Sequence, residues 1–224
     1  MIKYFAVKYK LVLLLVILIV HGCSDSVTDF GFEGNISGKI TDQDGNIVSG
    51  DVTAANLLVS LLGEEETVPM TIRVLGDGTF ANTHLYPQTY TFSLQGAIMP
   101  VDDFAVDLTG GPVIQNITVT PFLTLPTPTV NMSGDSVSVG YNIIENEGKI
   151  ADQRIIYVST VQYPSPSTGS GAYWITINRS VGQNQGEETI TGLDSGTTYY
   201  VRIAARAEGS TMWNFSDHVR ITTP

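Results

Sequence analysis

Few side chains in this sequence are spaced for catalysis. The 224 residues include a single Cys, Cys23, and no G-x-S-x-G or S-x-x-K motif that would mark a serine nucleophile. His84 and His218 are predicted to lie in different parts of the fold, each at a surface or turn position. Asp102 and Asp103 are adjacent on an extended chain and point apart, whereas glycoside hydrolysis needs two carboxylates about 5–10 Å apart in one cleft. The sequence therefore predicts a protein that is not an enzyme and holds no metal or cofactor.

Aromatic side chains are the remaining candidates for ligand binding. Sugars present apolar C–H faces that stack on Trp or Tyr, while nearby Asn, Asp or Glu bind the hydroxyls. Trp213 and Asn214 fall in the predicted loop between the last two strands, and Glu145 falls in a loop at the same end. We predict that these three converge on one ligand. Trp174 is predicted to face outward from its strand, and Tyr163 lies in a Pro/Ser-rich loop at the opposite end. The alternative is that both Trp side chains pack on the core.

The N-terminal segment has the composition of a signal peptide. Three lysines precede a ten-residue apolar run at 11–20, which is shorter than the ~20 residues that a membrane-spanning helix needs. Residues 20–23 resemble the lipobox of bacterial lipoproteins, in which the Cys receives a diacylglycerol and the preceding peptide is removed. The resemblance implies a signal peptide at 1–22, a lipid anchor on Cys23 and a polar tether at 23–33. An ordinary secretory signal is the alternative.

The charge balance excludes one class of partner. Eleven Lys and Arg stand against 22 Asp and Glu, which gives a net charge of −11. Removal of residues 1–22 would take away three basic residues and no acids, so the net charge would become −14. A nucleic-acid-binding surface needs a basic footprint, so nucleic acid is excluded as a partner. Anionic headgroups would repel such a chain, which would stand off a membrane on its lipid.

Strand and turn signals fill the rest of the chain and predict an all-β protein of two tandem β-sandwiches. Residues 34–122 form the first predicted module. In it, Tyr90, Phe92 and Leu94 share one face of a strand by their period of two. Residues 123–129 are rich in Pro and predict an extended, semi-rigid linker. Residues 130–224 form the second predicted module.

The order of motifs in the first module resembles a known fold. It contains G-x-I-x-D-x-x-G at 38–45, D-G-T-F at 77–80 and L-x-P-x-x-Y at 85–90. This order is similar to that of the carboxypeptidase-regulatory or transthyretin-like β-sandwich. A lipobox followed by such a sandwich resembles a family of lipoproteins of unknown function encoded beside SusD-type glycan-binding proteins.

The second module resembles a fibronectin type III domain. Leu193 precedes a turn, and Tyr199 follows six residues later, at the position of the tyrosine-corner residue that hydrogen-bonds back to the backbone. Residues 201, 203 and 205 are predicted to point into the core, while Tyr200 and Arg202 point outward.

The family resemblance implies a function as well as a fold. It implies a lipoprotein on the cell surface of the outer membrane that binds a polysaccharide or oligosaccharide, or assists a SusD-type receptor and transporter complex. The alternative from the residues themselves is a structural spacer, or an adhesin or fimbrial-type assembly protein, without a small ligand.

Overall fold

A computed structural model describes residues 31–51, 56–165 and 174–224, with the backbone alone for 174–178. Every regular element in these ranges is a β-strand, and the strands form β-sandwiches, which confirms the all-β prediction. Across the described residues, no helix is long and apolar enough to cross a membrane. The predicted signal peptide, Cys23 and the tether up to residue 30 lie outside the described residues.

The first sandwich consists of two sheets. Its strands are β1 (Gly34–Thr41), β2 (Leu57–Gly63), β3 (Met70–Arg73), β4 (Thr79–Leu85), β5 (Thr89–Gly96), β6 (Phe104–Asp107), β7 (Val113–Ile114) and β8 (Ile117–Thr118). One sheet has the order β4-β1-β7, with β8 also paired to β1, and the other has the order β3-β2-β5-β6. β1 pairs antiparallel with β4 and parallel with β7 and β8.

The core of the first sandwich follows the alternation in its strands. On β5, Tyr90, Phe92 and Leu94 are buried, whereas Thr91 and Gln95 are exposed. Successive side chains of a strand point to opposite faces, so the apolar set lies between the two sheets. Removing this apolar area from water is the main favourable term for the fold.

The second sandwich also has two principal sheets. Its strands are β9 (Leu123–Thr124), β10 (Thr129–Ser133), β11 (Ser136–Asn142), β12 (Ile144–Glu145), β13 (Ala151–Ser159), β14 (Trp174–Ser180), β15 (Gln185–Ile190), β16 (Thr198–Ala207), β17 (Trp213–Phe215) and β18 (Val219–Thr222). One sheet has the order β10-β11-β15; the other has β14-β13-β16-β17, with β18 also on β16, and β9 pairs with β12. The Tyr199 hydroxyl accepts a hydrogen bond from the backbone N–H of Asp194 (3.0 Å), which is the contact of a tyrosine corner.

The segment between the sandwiches takes part in the second one. Leu123 and Leu125 are buried in its core beside Tyr199. The N–H of Asn146 donates to the carbonyl of Phe122, and its side-chain amide donates to the carbonyl of Pro121. The module boundaries drawn from the sequence stay predictions, and Glu33–Pro224 forms one compact unit in the structure.

The central strands of the second sandwich are buried on both faces. β13 and β16 bury successive residues rather than alternate ones. Their inner faces contribute to the sandwich core, while Ile155, Tyr157, Ala204 and Phe215 form a separate apolar cluster on the outer face. An antiparallel sheet usually leaves one face to solvent, so this pattern requires a third layer. The first sandwich supplies that layer.

Candidate functional site

Arg202 lies where the first sandwich covers the outer face of β16. The alternation of β16 places Arg202 on the outer face, as predicted, yet its exposed fraction is 0%. Its Nε donates to the carbonyl of Ser216 (2.9 Å), and its Nη2 donates to the hydroxyl of Ser49 in the first sandwich. The guanidinium also stacks 4.3 Å from the ring centre of Phe215. A side chain that alternation alone would place in water thus joins the two sandwiches.

The charge of Arg202 is balanced within the junction. Burial lowers the pKa of its guanidinium to about 10, while the carboxylates of Asp51 and Asp217 act in the opposite direction. The side chain therefore stays protonated at neutral pH. Burial also raises the pKa of the neighbouring Tyr157 hydroxyl, and the charge of Asp51 adds to that rise. The buried charge has partners on both sandwiches, which is the condition for tolerating it.

Two asparagine side chains bridge the same junction. Asn56 of the first sandwich donates from Nδ2 to the carbonyl of Trp213 (3.1 Å) and accepts from the Trp213 N–H (3.4 Å). Asn214 of the second donates to the carbonyl of Ala97 (2.8 Å) and accepts from the N–H of Leu123 (3.1 Å). Each amide satisfies backbone groups that the junction removes from water. These reciprocal contacts align the two sandwiches.

Tyr163 adds a packing contact to the junction. Its φ of 56° is in the left-handed region, which a bulky residue rarely adopts. In that conformation the ring lies against Gly76 of the first sandwich, where a Cβ would overlap it. The ring also meets His218 edge-on, with 4.5 Å between centroids.

The structure does not gather all the predicted ligand-binding residues at one open surface. Trp213 begins the short strand β17 rather than lying in a loop, and its side chain is half-buried. The amide of Asn214 is committed to backbone groups, and the Glu145 carboxylate accepts from the N–H of Ala151 (2.9 Å). Trp174 begins β14, and its side chain lies outside the described residues. Tyr163 follows the C-terminal end of β13, and its ring lies against Gly76 of the first sandwich. Their ligand-binding roles stay predictions.

A cleft of about 610 Å³ lies beside this junction. Both sandwiches line the cleft. The first sandwich contributes Lys39, Asp42 and residues 44–49. The second contributes residues 123–127, Ile144, Asn214, Phe215 and Asp217, and Pro121 lies between the two sets. Small-molecule sites in proteins have volumes of roughly 300–1,000 Å³. The cleft is therefore large enough for a ligand of a few sugar rings.

The turn after β1 shapes one rim of the cleft. The Asp42 carboxylate accepts from the backbone N–H groups of Asp44 (3.0 Å) and Asn46 (2.8 Å), and from the Asn46 side-chain amide (3.0 Å). Gly45 supplies the positive φ, 82°, that closes the turn. Hydrogen bonds within the turn therefore occupy the Asp42 carboxylate, and the turn holds the exposed Asp44 at the rim.

The opposite rim carries a second open carboxylate. Asp217 has a side-chain exposure of 46%, and one oxygen lies 3.1 Å from Nδ1 of His218. Among the described residues, no group of three His, Cys, Asp or Glu is arranged to hold a metal ion. The arrangement can bind hydroxyl and amide groups.

Among the residues of this cleft, the sequence predicted a ligand-binding role for Asn214 alone. The turn at 42–46 is recognisable from its Asp, Gly and Asn residues, but its role as a rim depends on the second sandwich. No local pattern around Asp217 distinguishes it from other exposed acids. The cleft exists because residues far apart in the chain meet at the junction.

Comparisons with known proteins support the fold. No family model matches the sequence, and no curated protein matches it. A DUF3823 family protein from Parabacteroides merdae shares the fold with a TM-score of 0.71 and 18% identity, over 84% of this chain and 98% of that chain. A proposed carbohydrate-binding protein from Bacteroides uniformis gives a TM-score of 0.69 and 18% identity, over 86% of this chain and 100% of that chain. A DUF3823 family protein from Bacteroides ovatus gives a TM-score of 0.67 and 16% identity, over 86% of this chain and 100% of that chain. At these identities the likeness shows the fold alone, over nearly the whole length of each neighbour.

Proposed function

We propose that this chain is a non-enzymatic saccharide-binding protein and that the junction cleft is its binding site. The observation that supports the proposal is the lining of the cleft, in which carboxylate, amide and hydroxyl groups surround a cavity of about 610 Å³. One fold neighbour is itself a proposed carbohydrate-binding protein. The function is therefore compatible with both the site and the architecture.

The lining suits the two kinds of surface that a sugar presents. Hydroxyl groups need acceptors and donors, which Asp44, Asp217 and Thr127 offer at the rim. The apolar C–H faces need apolar contacts, and Ile144, with an exposed fraction of 44%, and Pro126 lie along the same cleft. Such a mixture of apolar walls and a few placed polar groups is typical of ligand sites.

Binding can be measured with the full chain purified in mild detergent. Affinity gels and calorimetry against a panel of plant and microbial polysaccharides should show at least one ligand. Asp44→Ala and Thr127→Ala should weaken that binding about tenfold, because each removes a rim group that a sugar hydroxyl contacts. Asp102→Ala, an exposed acid outside the cleft, is the matched control. Absence of binding across the panel would refute the proposal.

The aromatic residues provide an alternative position for the site. Trp213→Ala should abolish binding if the predicted cluster of Trp213, Asn214 and Glu145 carries the ligand. Unchanged affinity in Trp213→Ala, together with loss in Asp44→Ala, would place the ligand in the cleft.

We also propose that the chain is a lipoprotein held at the cell surface of the outer membrane through Cys23. This proposal is supported by the lipobox-like segment at 20–23. Radiolabelled palmitate should enter the wild-type protein and not Cys23→Ser, and globomycin should block removal of residues 1–22. Labelling of Cys23→Ser at the wild-type level would contradict the anchor.

The proposed partner is a SusD-type receptor with its transporter. The family resemblance of the sequence motifs supports it. Affinity purification of the tagged chain from native membranes should recover both components, and the neighbouring genes should belong to a sugar-uptake locus. Copurification without any saccharide affinity would favour the accessory role over direct binding.

A structural role is the second candidate, because the buried contacts at Arg202, Asn56 and Asn214 join the sandwiches firmly. Such a body could serve as a spacer or as a subunit of an adhesin or fimbria. Regularly spaced filaments by electron microscopy, with no saccharide affinity, would favour this role.

A further inference from the structure

The cleft carries a charge that restricts which saccharides it can bind. Its lining contains three carboxylates, of Asp42, Asp44 and Asp217, and one ammonium, of Lys39. Resting on the saccharide-binding function proposed above, we infer that the cleft takes neutral saccharides and rejects those that carry carboxylate or sulfate groups.

The open carboxylates favour hydroxyl donors. Asp42 is 7% exposed, and its oxygens accept hydrogen bonds within the turn, so it contributes charge rather than a contact. Asp44 and Asp217 are exposed and can accept hydrogen bonds from sugar hydroxyls. A hydrogen bond to a charged acceptor is stronger than one between neutral groups. Neutral sugars therefore gain from the same groups that repel an anion.

The cations of Lys39 and Arg202 offset only part of this acidic charge. Arg202 lies behind the wall of the cleft with no exposed surface, and its guanidinium donates to Ser216 and Ser49. Its charge is matched by Asp51 and Asp217. Lys39 lines the cleft itself, so its ammonium offsets one of the three carboxylates. With Asp51 and Arg202 counted beside the lining, four carboxylates stand against two cations, so a bound uronate or sulfate would meet an excess of negative charge.

The whole molecule adds to this selectivity. Its net charge, −11 for the full sequence and −14 after removal of residues 1–22, repels polyanions at long range, although physiological salt screens that field beyond about 8 Å. Discrimination must therefore come mainly from groups at the rim, within this screening distance of a bound ligand. Like charges placed opposite each other are an effective means of rejecting a wrong partner.

The test compares matched neutral and charged polymers on the full chain. The probes are galactan, mannan, xylan and β-glucan, each beside its own sulfated derivative and beside polygalacturonate, at 0.15 M and 1 M NaCl. We expect a neutral polymer to bind and its sulfated derivative to bind at least about tenfold more weakly at 0.15 M. At 1 M NaCl the difference should shrink, because salt screens the repulsion.

Substitutions at the rim identify the source of the selectivity. Asp44→Asn should reduce the discrimination, and Asp44→Lys should reduce it further or reverse it. Asp102→Asn and Asp102→Lys change the net charge equally outside the cleft and should leave the discrimination unchanged. If the variants at Asp44 and at Asp102 changed the discrimination equally, net charge would be the source of the selectivity and the inference would be overturned.

Failure of the inference and failure of the proposed function are distinguishable. Sulfated or uronic polymers that bind as tightly as neutral ones would overturn the charge selectivity while saccharide binding stands. No binding of either kind would refute saccharide binding and the selectivity with it.

Discussion

At the scale of single residues, Arg202 shows that a charged side chain on the outer face of a strand can be buried between two sandwiches. It has the outward orientation expected of a charged residue on an exposed strand face, yet it is fully buried. Its contacts with Ser49, Ser216 and Phe215 span both sandwiches. Removal of one member of a buried charged network leaves the others without their partner.

Replacement of Arg202 should destabilise the protein strongly. Arg202→Met keeps the length of the side chain but removes the charge opposite Asp51 and Asp217, so we expect a loss of about 3–5 kcal/mol in the free energy of unfolding. Urea denaturation followed by tryptophan fluorescence measures it. Arg220→Met, on the exposed side of β18, is the control and should change stability by less than about 0.5 kcal/mol. An effect of similar size in both variants would contradict the role of Arg202.

The corner tyrosine offers a second test at a single residue. Tyr199→Phe removes the hydroxyl that accepts from the N–H of Asp194 and leaves the buried ring in place. We expect a loss of about 1–3 kcal/mol, since a backbone donor loses its partner. Chemical denaturation should detect the loss, and the half-buried neighbour variant Tyr200→Phe should show less than half of it. A neutral effect of Tyr199→Phe would mean that water replaces the hydroxyl.

At the scale of elements, the two sheets of the second sandwich are tied by an ion pair as well as by the core. Arg154 of β13 contacts Glu188 of β15 at 2.6 Å, with the side chains 7% and 21% exposed. Arg179 of β14 reaches the same carboxylate at 3.3 Å. The Arg154 guanidinium also stacks over Tyr141 of β11, 4.0 Å from the ring centre.

This ion pair should make stability depend on pH in the acid range. The hydrogen bond from Arg154 holds the pKa of Glu188 below its ordinary value. Because the folded state lowers that pKa, the stabilisation is fully present above the unfolded value and is lost as the pH falls through the folded value. Glu188→Gln should therefore be less stable than wild type at pH 7, and the difference should narrow between about pH 5 and pH 3. Equal differences at pH 7 and pH 3, from urea titrations, would contradict the assignment; Glu187→Gln is the neighbouring control.

At the scale of the whole molecule, the junction joins the two sandwiches into one compact unit. A surface that each sandwich would otherwise leave to solvent is closed by Arg202, by the Asn56 and Asn214 amides and by Tyr163. The same junction forms the cleft, so the position of the rims relative to each other depends on it.

The coupling predicts cooperative unfolding. Calorimetry of the full chain should show one transition whose calorimetric and van't Hoff enthalpies agree. Phe92→Ala in the first core should lower the midpoint of this single transition rather than split it. The double variant Asn56→Ala and Asn214→Ala should separate the transitions of the two sandwiches. Two resolved transitions in wild type would show that the junction contacts are too weak to couple the cores.

The sequence by itself determined the inner faces of the strands that alternate clearly. Period-two alternation at 90–94 and 201–205 predicts which residues face the partner sheet, because neighbouring side chains along one strand point to opposite sides. The turn residues after β1 and the Leu193–Tyr199 pair are likewise local patterns. The sequence predicts a loop at Trp213, because the three residues of this edge strand carry too little periodicity to be recognised as a strand.

Only the tertiary structure decided what covers the outer faces. The alternation that places Arg202 and Ala204 outward is the same for a face in water and for a face beneath another sandwich. Whether that face is buried depends on contacts between Ser49 and Arg202, or between Asn56 and Trp213, which are more than 150 residues apart in the chain. The cleft and its rim carboxylates arise from that packing, which no local pattern in the sequence encodes.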